Sequence, residues 1–182
     1  MEFSGTISDF VRGLPLGVRV ALGVTSVDPG SAAGARRIFI NDATNGTPEK
    51  AGRILDLRFD ALFRITAESS TPAYLFAGPR YSSFRGNFKY IGGNEDFDVT
   101  SGQWGVGLGL EGHFAMGRSA MLVVGGGADY FFEGALAGHD TIYTPSGDDA
   151  NPRRKYTYED ADAAINQPRW APRFLVGFAY AF

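Results

Sequence analysis

The stretch FLVGFAYAF, Phe174 to Phe182, closes the chain on large apolar residues at alternate positions. Phe174, Val176, Phe178, Tyr180 and Phe182 share one side of a period-2 backbone, and Leu175, Gly177, Ala179 and Ala181 share the other. The pattern is a strand with one greasy face and one face of small residues. Chain termini are ordinarily polar and frayed, so this one is expected to be tied into something apolar, either lipid or a protein core.

Five further segments repeat the pattern. LGVRVALGVTS from Leu16 sets Leu16, Val18, Val20, Leu22 and Val24 against Gly17, Arg19, Ala21, Gly23 and Thr25. ILDLRFDALFRI sets Leu55, Leu57, Phe59, Ala61, Phe63 and Ile65 against Ile54, Asp56, Arg58, Asp60, Leu62 and Arg64. AYLFAGPRYSSFRGNFKY, Ala73 to Tyr90, reads as strand, but aromatics on both faces and Pro79 leave its faces unassigned. QWGVGLGLEGHF opposes Trp104, Val106, Leu108, Leu110 and Phe114 to Gly105, Gly107, Gly109, Glu111 and His113. After a tight MGRS turn, AMLVVGGGADYFF opposes Leu122, Val124, Ala128, Tyr130 and Phe132 to Val123, Gly125, Gly127, Asp129 and Phe131.

Six strands of this length each suffice to cross a bilayer at a tilt, which takes roughly 9–11 residues. Short connectors (TAESSTP, MGRS) alternate with long ones at 28–52, 91–102 and 134–170, an asymmetry typical of outer-membrane barrels with extended extracellular loops. RRIFIN (Arg36 to Asn41), DTIYT (Asp140 to Thr144) and KYTYED (Lys155 to Asp160) are expected to prolong neighbouring strands beyond the wall. Residues 1–14, with Phe3, Ile7, Phe10, Val11 and Leu14 at roughly helical spacing, allow a short N-terminal helix. The whole of 1–182 is expected to form one domain.

Bulk composition narrows the classes. The net charge of −3 supplies no basic surface for nucleic acid. Cysteine is absent, which removes disulfides, thiol catalysis and zinc-thiolate sites. No apolar run reaches the 18 or more residues of a membrane helix, whereas alternating strands average to neutral hydropathy and escape that test. The opening MEFSGTISDFVRG has neither a basic nor an apolar leader region, so an exported protein would be represented here in mature or trimmed form.

The direction of the faces follows from three features. In a soluble barrel, Gly105, Gly107, Gly109, Gly125 and Gly127 would face water, where glycine weakens a strand and packs nothing; in a narrow lumen they make room for larger neighbours. Arg58 or Arg64 turned to lipid would cost about 2–4 kcal/mol near the midplane, so strand charges belong inside. There Arg19, Asp56, Arg58, Asp60, Arg64, Glu111, Asp129 and Arg173 form a balanced set expected to pair and plug the lumen. Aromatics on the apolar faces, Trp104, Phe114, Tyr130, Phe132, Phe174, Tyr180 and Phe182, suit interfacial girdles.

The terminal strand, with Phe178 and Tyr180 leading to Phe182, resembles the C-terminal signature of Gram-negative outer-membrane β-barrels. The glycine-rich strands and loop asymmetry are similar to the small barrels of the outer-membrane protein A, X and W type. The resemblance spans Leu16 to Phe182 as a pattern and is specific only in the last nine residues. It implies an all-β, antiparallel up-and-down transmembrane barrel of eight strands in a bacterial outer membrane. Of those eight, six are legible; two would lie in the N-terminal stretch or long connectors, or a partner would complete the barrel. It also implies outer-membrane lipids and lipopolysaccharide as surroundings, and the barrel-assembly machinery as the reader of Phe178, Tyr180 and Phe182.

Candidate chemistry is sparse, and the role expected is structural or surface-interactive. His113 and Glu111, two apart on one face, make an acid-base pair, the basis of an alternative reading as a lipid A-modifying enzyme. A lumen-satisfied histidine is the simpler account, because with a periplasmic C-terminus His113 falls near the periplasmic end. His139 has no evident partner. PRRK (Pro152 to Lys155) is a basic loop cluster beside Asp148, Asp149, Glu159 and Asp160. Glu95, Asp96 and Asp98 do not have EF-hand spacing, and no metal or cofactor is called for. A narrow porin-like solute channel and a soluble lipocalin-like binding barrel remain as further alternatives.

Overall fold

A computed structural model describes residues 1–8, 10–11, 13–40, 45–66 and 71–180; Asn41, Phe182 and the side chains of Asp148 and Asp149 lie outside the described residues. The wall is one antiparallel sheet. Its strands are β1 (Glu2–Ile7), β2 (Leu16–Val27), β3 (Thr47–Arg64), β4 (Ala73–Ile91), β5 (Asp96–Ala115) and β6 (Ala120–Phe131). Above them, β7 (Leu136–Gly138), β8 (Thr141–Thr144) and β9 (Gly147–Ala150) form a small meander hung on the upper part of β5, and β10 (Trp170–Tyr180) returns to pair with β6. All six segments read as strands from the sequence are strands, and each pairs with its predecessor along the wall.

Outward and inward residues alternate without a slip along β5. Gln103, Gly105, Gly107, Gly109 and Glu111 are buried, whereas Trp104, Val106, Leu108 and Leu110 are exposed. The apolar faces of the other strands point the same way: Phe59 is 42% exposed, Leu108 63% and Phe178 80%. Leu57, Phe59, Leu108 and Phe178 thus line the outside of the sheet instead of meeting in a centre.

Higher up, the polarity of the two faces reverses while the register stays fixed. On β5 the inward residues become Phe97 and Val99, both buried, and Asp96, Asp98 and Thr100 turn outward. On β4, Arg80 and Ser82 face in below, Phe84 and Phe88 face in above, and Arg85, Asn87 and Lys89 face out. The crossover lies at an aromatic tier in which Tyr81 packs on Trp104 at 5.1 Å between ring centroids and Tyr130 on Trp170 at 4.8 Å. From Trp104 to Phe114 the outer apolar band runs ten residues, roughly 23 Å of height at ~3.3 Å per residue and a ~45° tilt.

Four expectations need correction. Residues 2–7 form strand β1, not a helix, because Phe3 and Ile7 are four apart, a spacing that fits period 2 as well as period 3.6, and the free edge of β2 takes them in register from Glu2↔Gly23 to Ile7↔Val18. RRIFIN does not extend a strand: Arg36–Ile40 is a π-helical turn following α1 (Ala32–Ala35), and its consecutive Ile38, Phe39 and Ile40 are all buried, which a strand could not achieve against one surface. KYTYED leads into α2 (Tyr158–Ala164), started by a capping box between Thr157 and Asp160. DTIYT does form strand β8. Two of the three long connectors are also shorter than expected. β3 begins at Thr47 and β5 at Asp96, and cross-strand bonds from Asn87 Nδ2 to Asp96 (2.8 Å) and Asp98 (3.0 Å) hold the β4–β5 hairpin together up to its tip.

Candidate functional site

Inward charges meet halfway down the barrel in one unbroken chain of alternating sign. His113 Nε2 contacts Glu111 Oε1 at 2.9 Å, and Glu111 Oε2 accepts from Arg19 Nη1 at 2.6 Å. Arg19 Nη2 donates to Asp60 Oδ2 at 2.9 Å, while Asp60 Oδ1 lies 2.7 Å from Arg80 Nη1. Arg80 Nε donates to Asp129 Oδ1 at 2.7 Å, and Asp129 Oδ2 accepts from Arg173 Nε at 3.0 Å. Arg173 Nη1 reaches Glu2 Oε2 at 3.4 Å, and Glu2 also pairs with Arg58. Four arginines therefore face four carboxylates. Each oxygen of Glu111, Asp60 and Asp129 serves a different partner, so no acid competes with itself.

Such burial is tolerable only because each charge meets an opposite one, although Arg58 Nε and Arg80 Nη2 are left without a hydrogen-bond partner. Arg58 is 2% exposed, Arg80 1% and Asp129 1%, and removing one partner of a pair buried like this ordinarily costs about 3–5 kcal/mol. The glycines provide the space. A Cβ on Gly107 would sit 2.0 Å from Asp129 Oδ1 and 2.4 Å from Arg80 Nε, and one on Gly109 would meet the Phe76 ring at 2.3 Å. Phe76 in turn carries the Arg19 guanidinium 5.1 Å over its ring.

Six of the eight charges expected in the lumen, Arg19, Arg58, Asp60, Glu111, Asp129 and Arg173, belong to this chain of ions. Asp56 stands beside it, lining an upper cavity with Ser82 and Arg173, and Arg64 lies at the lower mouth with Tyr74 and His113. Glu2 and Arg80 escape the sequence reading. Arg80 sits in the strand whose faces periodicity leaves unassigned, although its even register follows once Arg85 and Lys89 are recognised as lying above the polarity crossover. Glu2 is hidden by the helical spacing of residues 1–14. His113 is also packed on Tyr74, with ring centroids 4.7 Å apart. Phe178 and Tyr180 project from the outer face of β10, 80% and 65% exposed.

Above the ions the barrel holds an apolar core. Ile38, Phe39, Ile40, Ala161, Ala164 and Ile165 from the connectors pack on Phe84, Phe88, Phe97 and Val99 of the upper wall. Phe39 meets Tyr143 edge-on at 5.6 Å, and Tyr143 donates to the Ile38 carbonyl at 3.2 Å. Burial, with Asp162 and Glu133 nearby, pushes the Tyr158 hydroxyl up to about 12 as it donates to the Gly134 carbonyl. At the rim, a hydrogen bond from Lys50 (2.6 Å) and one from the Gly30 amide hold Asp28 below the usual carboxylate range. In the same way the Thr157 backbone amide lowers Asp160 within the capping box. Arg153 is half-buried, with Arg154 and Lys155 exposed beside it, and among the described residues no group of three metal-ligating side chains occurs.

No family model and no curated protein matches the chain. A crystal structure of a major outer membrane protein from Thermus thermophilus superposes with a TM-score of 0.77 at 22% identity, covering 98% of this chain and 90% of that one. The chain therefore has the fold of an outer-membrane β-barrel, antiparallel and up-and-down.

Proposed function

We propose that the protein is a bacterial outer-membrane barrel whose lumen is closed, with a structural or surface-interaction role. The single observation that carries this is the reversal of polarity along β4 and β5, apolar outside below the aromatic tier and polar outside above it, which matches lipid below and water above. The short connectors then face the periplasm and the capped end faces outward. There the basic residues Arg154 and Lys155 stand near lipopolysaccharide phosphates, and the exposed terminal strand carries the residues that assembly machinery reads. An alternating chain of buried ions below an apolar cap leaves little path for a solute. Purified protein should partition into detergent, migrate differently on a gel with and without boiling, and give no steady conductance in planar bilayers. Steady open-channel currents would overturn the closed lumen. Solubility without detergent would overturn the membrane reading.

Glu111 and His113 supply the geometry of an acid-base pair, but the other Glu111 oxygen is committed to Arg19 and the site lies at the lower end of the wall. His113→Ala should leave lipid A composition unchanged.

A further inference from the structure

Asp56, Ser82 and Gln103 form one inward row across β3, β4 and β5, because Asp56 pairs in register with Ser82 and Ser82 with Gln103. The row separates two tiers. Below it Arg58 and Arg80 belong to the buried ions, and above it Ile54 and Phe84 begin the apolar core. A cavity of about 330 Å³ opens on this row, walled by Ile54, Phe84 and Phe131 and by Gln167 and Pro168 of the connector before β10. Its size is at the lower end of cavities that hold small molecules, roughly 300–1,000 Å³.

Charge balance sets this cavity apart from a packing void. The ion chain already matches Arg19, Arg58, Arg80 and Arg173 with Glu2, Asp60, Glu111 and Asp129. Asp56 is a fifth acid. Among the described residues it forms no ion pair, and Arg173 and Arg58 act on it only from beyond salt-bridge range. Arg173 also lines the cavity, but its Nε and Nη2 are committed to Asp129 and its Nη1 to Glu2. The uncommitted charge facing this space is therefore negative. Two buried amides stand beside it. Gln103, 5% exposed, makes no side-chain hydrogen bond among the described residues, and Gln167, 8% exposed, donates to Asp162 at 3.2 Å while its Oε1 has no partner. Buried amides are ordinarily satisfied, so a carboxylate and two amide oxygens make a set of acceptors gathered around one space.

We propose that this cavity binds a small organic cation, a primary ammonium carrying one apolar substituent. Asp56 and Gln103 stand two strand spacings apart, about 10 Å, too far to bond directly and a span that their side chains and one ammonium together bridge. The ammonium donates to the Asp56 carboxylate and the Gln103 amide oxygen, with Gln167 Oε1 as a further acceptor. Its substituent lies against Phe84 and Phe131, whose ring faces also favour a nearby cation. A divalent metal ion fits less well, since it asks for several oxygen ligands with more than one negative charge among them, and Asp56 is the one carboxylate among the described lining residues. The site is made by inward residues, so it stands whatever surrounds the wall.

The test is calorimetric titration of the purified full chain with benzylammonium chloride, with benzyl alcohol as an uncharged probe of similar shape. Benzylammonium should bind one to one, and benzyl alcohol should bind roughly tenfold more weakly or worse, as expected when a hydrogen bond to a charged group is lost. Asp56→Asn should weaken benzylammonium by about the same factor while leaving benzyl alcohol unaffected. Thr25→Trp, which fills the cavity from an exposed lining position and keeps the carboxylate, should weaken both probes. Absence of saturable benzylammonium binding overturns the proposal, as does equal affinity for the two probes or equal affinity of the parent and Asp56→Asn. Calcium that displaces benzylammonium one to one also overturns it, in favour of a metal site. If Asp56→Asn does not fold, the two probes on the parent and on Thr25→Trp decide the matter.

Discussion

Gly107 and Asp129 face each other across the β5–β6 pair so closely that a single methyl on the glycine would lie 2.0 Å from the carboxylate oxygen that binds Arg80. The lumen is thus fitted around its ions, and the glycines of β5 are part of the fit.

Gly107→Ala should therefore destabilise the barrel by about 1–3 kcal/mol, the range for overpacking a filled interior, read as a lower urea midpoint for unfolding from vesicles. Gly126→Ala, where the nearest atom to a new Cβ is 3.5 Å away, should leave the midpoint unchanged within error.

Arg80 bridges Asp60 and Asp129. Arg80→Met should cost about 3–5 kcal/mol, because both carboxylates lose their shared cation. The pair Asp60→Asn with Arg80→Met should cost less than the sum of the two single changes. Strict additivity in that cycle would show that the two side chains are not coupled.

Tyr158 ties the connector core to Gly134 and ionises near 12, against 10 for an ordinary tyrosine. The folded cap holds this proton more tightly than the open chain, so its contribution is complete below about pH 10 and is lost as pH rises toward 12. Protease cleavage within residues 132–169 should accelerate over that window, and the portion due to Tyr158 should vanish in Tyr158→Phe.

Leu108, 63% exposed at mid-band, should not tolerate charge: Leu108→Arg is expected to cost about 2–4 kcal/mol in a bilayer. Ile142→Arg, on β8 above the aromatic tier, should stay within about 0.5 kcal/mol of the parent. Equal costs at both positions would contradict the placement of the band.

The lower wall is legible in the sequence because two constraints coincide there on the proposed membrane reading: lipid demands apolar residues on one face, and a narrow lumen demands glycine or paired charge on the other. β5 shows both at every position from Trp104 to Glu111. The upper wall is harder, because the same strands invert their polarity there, so that Phe84 and Phe88 face inward where Leu75 and Ala77 face outward. Local periodicity has no term for such a crossover, and Arg80 is lost with it. The cap is least legible. Phe39, Tyr143 and Tyr158 come together from distant connectors, and only tertiary packing decides that Arg36–Ile40 coils while Thr141–Thr144 extends.

The most direct measurement is the collision profile of a nitroxide placed at Leu108→Cys and at Phe178→Cys in reconstituted protein. Lipid contact predicts strong relaxation by dissolved oxygen and almost none by a water-soluble nickel chelate at both sites. Ready access of the chelate to both labels would contradict the account.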